Sequence, residues 1–170
     1  MTNQDALGDL QEPMQPLLKI IRAHCIAYNE TIAVAESVTA GCLQLLLSTA
    51  EGAQEFFQGG ITVYNCTQKA IHLDIEPLFA EKCNGVDASI ALKMAQNVCR
   101  LFRAQIGIGI TGYATKAPQD GIDALYAYVA IVRNNSTLFE AKIEPSTDGI
   151  AAQWEYSELL VKKLSNILKE

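Results

Sequence analysis

The sequence predicts an α/β fold of three layers, α/β/α with a mixed central sheet, in a single domain spanning residues 1–170. Three patterns carry that expectation. Ile32 to Ala35 form an apolar run without alternation, which suits a strand covered by helices on both faces. Apolar residues at helical spacing lie on either side of it, from Leu17 to Tyr28 and from Ala91 to Phe102. Two β-rich runs, Leu125 to Val132 and Leu138 to Ile143, are joined through Arg133-Asn134-Asn135-Ser136, a hairpin turn that makes the sheet mixed.

Composition limits the function classes. The chain has 170 residues, 49% hydrophobic and 19% charged, an ordinary globular balance with enough apolar material for one core. Its net charge of −6 argues against a general nucleic-acid binder, which would carry a clustered basic surface. Five cysteines lie scattered without a CxxC pair, and two histidines add no zinc-like spacing. No metal or cofactor is expected, and the thiols read as free in a reducing cytoplasm. The start, MTNQDALGDLQEP, lacks a basic region followed by an apolar one, and no apolar run nears the roughly 18 residues needed to span a bilayer. The expectation is a cytoplasmic protein without a membrane partner.

In chain order, Leu17, Ile20, Ile21, Cys25 and Tyr28 mark an amphipathic helix, with His24 beside the stripe as a half-buried structural residue. The strand Ile32 to Ala35 stops at Glu36 and Ser37. A helix is expected to begin at Ser37 to Thr39, where a hydroxyl can cap it and the free N–H groups form a natural anion site. Gly52 ends that helix, and Phe56, Phe57 and a Gly59-Gly60 bend lead to a strand at Ile61 to Val63. Residues 71–83, interrupted by Pro77, read as a loop with a short helical turn. Asp87 reads as the N-cap of a helix over residues 88–103.

Residues 107–112, GIGITG, match GxGxxG only formally. The dinucleotide fingerprint needs its glycines in a turn that opens a helix, whereas Ile106, Ile108 and Ile110 alternate with glycine as in a strand. These glycines are expected to let a helix pack closely on one sheet face. A terminal helix begins near Asp148, with Trp154, Val161, Leu164 and Leu168 on one face.

The order of short motifs resembles the CinA C-terminal domain, the nicotinamide mononucleotide amidase family. They read Ala35-Glu36-Ser37-Val38-Thr39-Ala40-Gly41, Gly52-Ala53-Gln54-Glu55-Phe56-Phe57, Tyr64 with Lys69, Gly85-Val86-Asp87, and Ile110-Thr111-Gly112-Tyr113-Ala114. The resemblance implies hydrolysis of the amide of nicotinamide mononucleotide by a Ser, Tyr and Lys set. Tyr64 and Lys69 fall on the family's catalytic positions, while its nucleophilic serine is replaced by Gln54, which cannot form an acyl-enzyme. The resemblance further implies a small-ligand pocket, with a pyridine nucleotide as its candidate ligand, formed by Glu36, Ser37, Thr39, Gly41, Thr111 and Gly112, and a homodimer or higher homo-oligomer. Phe56 and Phe57 are candidates for that interface.

Further departures accompany Gln54. Gly112 alone survives of the family's loop glycines, Tyr113 and Thr115 occupy that turn, and Thr147-Asp148-Gly149 lacks the arginine that precedes the family's last helix. The expectation is a catalytically impaired homologue that keeps its pocket. The alternative is an active amidohydrolase using Cys66, placed on the same side of the strand as Tyr64, or an activated water.

Overall fold

A computed structural model describes residues 12–169. The expectation that the N-terminus carries no leader falls mainly on residues 1–11, outside the described residues. The elements are α1 (Gln15–Tyr28), β1 (Ile32–Glu36), α2 (Cys42–Ser48), β2 (Phe57–Thr62), α3 (Cys66–Leu73), α4 (Pro77–Lys82), α5 (Ala88–Phe102), β3 (Ile106–Gly112), β4 (Ala127–Arg133), β5 (Ser136–Ile143) and α6 (Gly149–Leu168). The strand order is β2-β1-β3-β4-β5. β1 pairs in parallel with β2 and β3, and the β3-β4 and β4-β5 pairs are antiparallel. The mixed sheet is thus as expected.

Alternation along the strands makes the two faces chemically different. Ile32, Val34, Ile106, Ile108, Ile110, Val129 and Ile131 point to one side and meet α1, α2 and α6. Ala33 and Ala35 point to the other, toward α3, α4 and α5, and Ala130 and Val132 meet Ala91, Ala95 and Cys99 of α5. The small-residue face is what lets α5 lie close. A Cβ on Gly107 would stand 2.1 Å from the Ala95 carbonyl oxygen, and one on Gly109 would stand 2.2 Å from that of Ala91.

Local chemistry moved several boundaries. The helix expected from Ser37 to Thr39 begins later, at Cys42, because Ala40 and Gly41 both adopt positive φ, 52° and 104°, and turn the chain back first. Gly59 and Gly60 belong to β2 rather than to a bend, with a register irregularity opposite Ile32 and Ala33. Where residues 71–83 were expected to form a loop with a short helical turn, the turn is the helix Pro77–Lys82, and a further short helix, Cys66–Leu73, precedes it. Asn65 caps α3 by accepting from Gln68 N–H, and Glu76 caps α4 by accepting from Leu78 and Phe79 N–H, with Pro77 at the first helical position. The β4-β5 turn uses Asn134 and Asn135 at φ 51° and 65°, the left-handed pair a two-residue hairpin needs.

Among the described residues, no helix is long and apolar enough to cross a membrane, and no group of three or more His, Cys, Asp or Glu is placed to hold a metal ion. Phe56 is fully buried in the core, so it cannot supply the interface expected of it.

Candidate active site

A cavity of about 300 Å³ opens beyond the carboxyl ends of β1, β2 and β3. β1 sends the chain outward to β2 on one side while β3 lies on the other, and crevices of α/β sheets form at such a switch point. Ser37 and Val38 reach the cavity from the end of β1, Tyr64 from beyond β2, Lys69 from α3, and Gly112 to Thr115 from the end of β3. Asn84, Val86, Ile122 and Gln153 complete its wall.

The centre is a pair. Lys69 is only 2% exposed, and its Nζ donates to Ser37 Oγ at 2.8 Å and to the Val63 carbonyl at 3.1 Å. Burial lowers the Lys69 pKa from 10.5 to about 8, against a smaller opposing influence of the Cys66 and Cys83 thiols. A lysine so placed loses its proton far more readily than one in water. Its Val63 bond leaves the neutral amine's lone pair available to the serine hydroxyl.

Thr111 supports this pair from below. Its buried Oγ1 donates at 2.6 Å to the carbonyl of Gly85, whose φ of 68° presses the turn against Lys69. A Cβ on Gly85 would stand 3.4 Å from Lys69 Nζ and 3.2 Å from Cys66 Sγ, so the turn closes the lysine in.

Other expected site residues have different tasks. Glu36 is fully buried, and its carboxylate accepts from the N–H groups of Gly41, Leu43 and Gln44 at 3.0, 3.1 and 2.8 Å. It caps α2 from the end of β1, filling the role expected of Ser37 or Thr39, and has no free oxygen to offer a ligand. Gly41 is the turn that permits this. Thr39 is buried, without a hydrogen-bond partner for its hydroxyl, and does not line the cavity. Tyr64 is at the rim, 69% exposed, and Lys69 bonds Ser37 rather than the Tyr64 hydroxyl.

Gln54 is elsewhere. It sits exposed in the turn before β2, next to Phe56, whose carbonyl accepts from Ile32 N–H at the start of β1. Parallel pairing puts that end of the sheet about 16 Å from Ser37, so Gln54 does not meet Tyr64 and Lys69 within this chain. Cys66 is the first residue of α3, not a strand residue, and its thiol donates to the Ala80 carbonyl at 3.4 Å. It does not line the cavity. Tyr113 and Thr115 had been placed in the family's loop but not assigned to the site, and Asn84 and Gln153 were not expected there; the Asn84-Gly85 dipeptide is a turn signal that could have brought its segment forward.

The family model of the CinA C-terminal domain matches residues 14–153. The chain belongs to the CinA C-terminal domain family. A CinA-like protein of Koribacter versatilis is 38% identical over 100 residues, 59% of this chain and 24% of that protein. A Streptococcus agalactiae protein described as competence-damage inducible is 32% identical over 124 residues, 73% of this chain and 29% of its own. The chain thus spans about a quarter of the length of these curated relatives. Among solved structures, the competence damage-inducible protein A of Klebsiella pneumoniae has the same fold, with a TM-score of 0.85 and 20% identity over 92% of this chain and 98% of that one. The competence or damage-inducible protein of Enterobacter asburiae gives 0.83 and 24% over 89% and 96%. The CinA fold is therefore shared almost from end to end with these domains.

Proposed function

We propose that this CinA-family domain is an amidohydrolase acting on a small carboxamide, with Ser37 as nucleophile and Lys69 as its base. The observation that carries this reading is the 2.8 Å contact between Lys69 Nζ and Ser37 Oγ in the wall of a cavity. A serine hydroxyl needs a neighbouring base to become an effective nucleophile, and a lysine whose pKa lies near 8 can act as one near neutral pH. The neutral amine takes the serine proton as Oγ bonds the amide carbon. The ammonium then returns that proton to the nitrogen as the C–N bond breaks and ammonia leaves. Water, deprotonated by the same amine, hydrolyses the acyl-Ser37 ester to a carboxylate and restores the serine.

The resemblance to nicotinamide mononucleotide amidases makes pyridine carboxamides the first compounds to try. Ammonia release from such compounds is expected from the natural protein and is expected to fall at least about a thousandfold in Ser37→Ala and in Lys69→Met. Release unaffected by Ser37→Ala overturns the assignment. A second reading, a ligand-binding homologue without catalysis, is supported by Tyr113 and Thr115 in the cavity wall, where the family keeps a glycine-rich turn, and predicts no release from any amide.

A further inference from the structure

The five thiols are not equivalent. Burial pushes the Cys25 pKa up to about 12, with the Glu30 carboxylate adding to the effect, and burial alone pushes Cys99 up to about 11. Cys42 is raised as well, by burial and then by the Glu36 carboxylate. Thiols held protonated in this way are poor nucleophiles. Cys66 and Cys83 are different: both are partly exposed, and both reach one oxygen. Cys66 Sγ donates to the Ala80 carbonyl at 3.4 Å, and Cys83 Sγ lies 3.7 Å from the same oxygen, with the Phe79 carbonyl as its nearer acceptor at 3.1 Å. The two sulfurs are therefore neighbours, although Cys66 opens α3 and Cys83 ends α4.

The same oxygen ties this pair to the cavity. Gly85 N–H also donates to the Ala80 carbonyl, at 2.6 Å, and Gly85 is the residue that closes Lys69 in. Between Cys83 and Gly85 stands Asn84, which lines the cavity and donates to the Tyr113 hydroxyl at 3.4 Å. A disulfide holds its sulfurs only about 2.0 Å apart, nearer than two thiols can stand around a shared acceptor. Closing the bond therefore takes both sulfurs off the Ala80 carbonyl and draws the end of α4 toward the start of α3. The segment that must follow Cys83 is the turn against Lys69.

We propose that Cys66 and Cys83 are a redox pair that closes to a disulfide, and that closure draws the Asn84-Gly85 turn away from Lys69 and lowers the activity of the site. The effect on activity rests on the Ser37–Lys69 reading, whereas the disulfide and its effect on Lys69 stand apart from catalysis. With a small disulfide as oxidant, one protein thiol gives up its proton and attacks a sulfur of the oxidant. A mixed disulfide forms, and the displaced thiolate takes up the proton. The second protein thiol displaces the remaining half in the same way, so that two protein thiols are oxidised and one small disulfide is reduced to two thiols.

The test exposes the folded, reduced protein to oxidised glutathione, alkylates the remaining thiols and digests with trypsin and Glu-C together, which put each cysteine on its own peptide. A Cys66–Cys83 link is expected as the main product. In the linked protein, acetylation of Lys69 by acetic anhydride is expected to rise at least about threefold and ammonia release to fall at least about tenfold, both reversed by dithiothreitol. Cys83→Ser and, separately, Cys66→Ser are expected to keep the release of the reduced protein and to resist the oxidant. Glutathione left on either cysteine without a link, or a link to another cysteine, overturns the proposal. So does a Cys66–Cys83 link that leaves Lys69 acetylation unchanged, or that leaves unchanged an ammonia release seen in the reduced protein. If the link forms and Lys69 acetylation rises but no amide releases ammonia in either state, the redox pair stands and the amidohydrolase reading fails.

Discussion

At the scale of the residue, one proton on Lys69 bears on stability and, in the proposed reaction, on activity. Its ordinary pKa of 10.5 holds in the unfolded chain and about 8 in the folded one, so between those values the unfolded state binds more protons. Stability from this group therefore rises with pH across that window and is lost as pH falls toward 8. In the proposed reaction the same deprotonation supplies the base. Ammonia release should climb as pH rises through about 8, and the gain in melting temperature between about pH 7.5 and 9.5, measured against Lys69→Met, should be larger in the natural protein. A flat rate over that range would mean that Lys69 is not the base. Lys69 was singled out in the sequence by the resemblance to the family's Tyr and Lys pair, and it lines the cavity. Ser37 was expected in the same pocket, but its contact with Lys69 was not, because that contact depends on α3 bringing residue 69 back over the end of β1, a tertiary fact with no local sequence signal.

At the scale of the element, the close approach of α5 to the sheet was legible and the start of α2 was not. Ile106, Ile108 and Ile110 alternating with glycine announced one large and one small face, and Gly107 and Gly109 lie under the Ala95 and Ala91 carbonyls as that pattern requires. A methyl group cannot be absorbed there, because the nearest atoms are backbone rather than a flexible side chain. Gly109→Ala should destabilise the fold by roughly 2–4 kcal/mol in denaturant unfolding, and a change below about 0.5 kcal/mol would show that α5 can shift. The α2 boundary failed for a different reason. Ser37 and Thr39 are both good capping residues, but the buried carboxylate of Glu36 reaches the N–H groups first, once Ala40 and Gly41 have folded the turn back. Competition between adjacent caps is decided by turn geometry, not by propensity. That capping by Glu36 is also what leaves the Ser37 hydroxyl for Lys69.

At the scale of the whole molecule, the order of strands and the position of the cavity form one argument. The central position of β1 puts its carboxyl end between those of β2 and β3, and the three ends deliver Ser37, Tyr64 and Gly112 to one opening. Linear motif order announced the α/β class and the family, yet it placed Gln54 beside Lys69, although the parallel pairing of β1 and β2 separates them by the length of a strand. Gln54 is close to the Tyr64 and Lys69 motif only in sequence order. The central claim, that Ser37 carries the acyl group, can be tested without knowing the natural substrate. The most direct measurement is acid quenching of the protein during turnover of p-nitrophenyl nicotinate, an activated aromatic ester, followed by peptide mass spectrometry. The account predicts a nicotinoyl group on Ser37 in the natural chain and none on that peptide in Ser37→Ala; a burst of p-nitrophenol with the label on any other residue, or with no label, would contradict it.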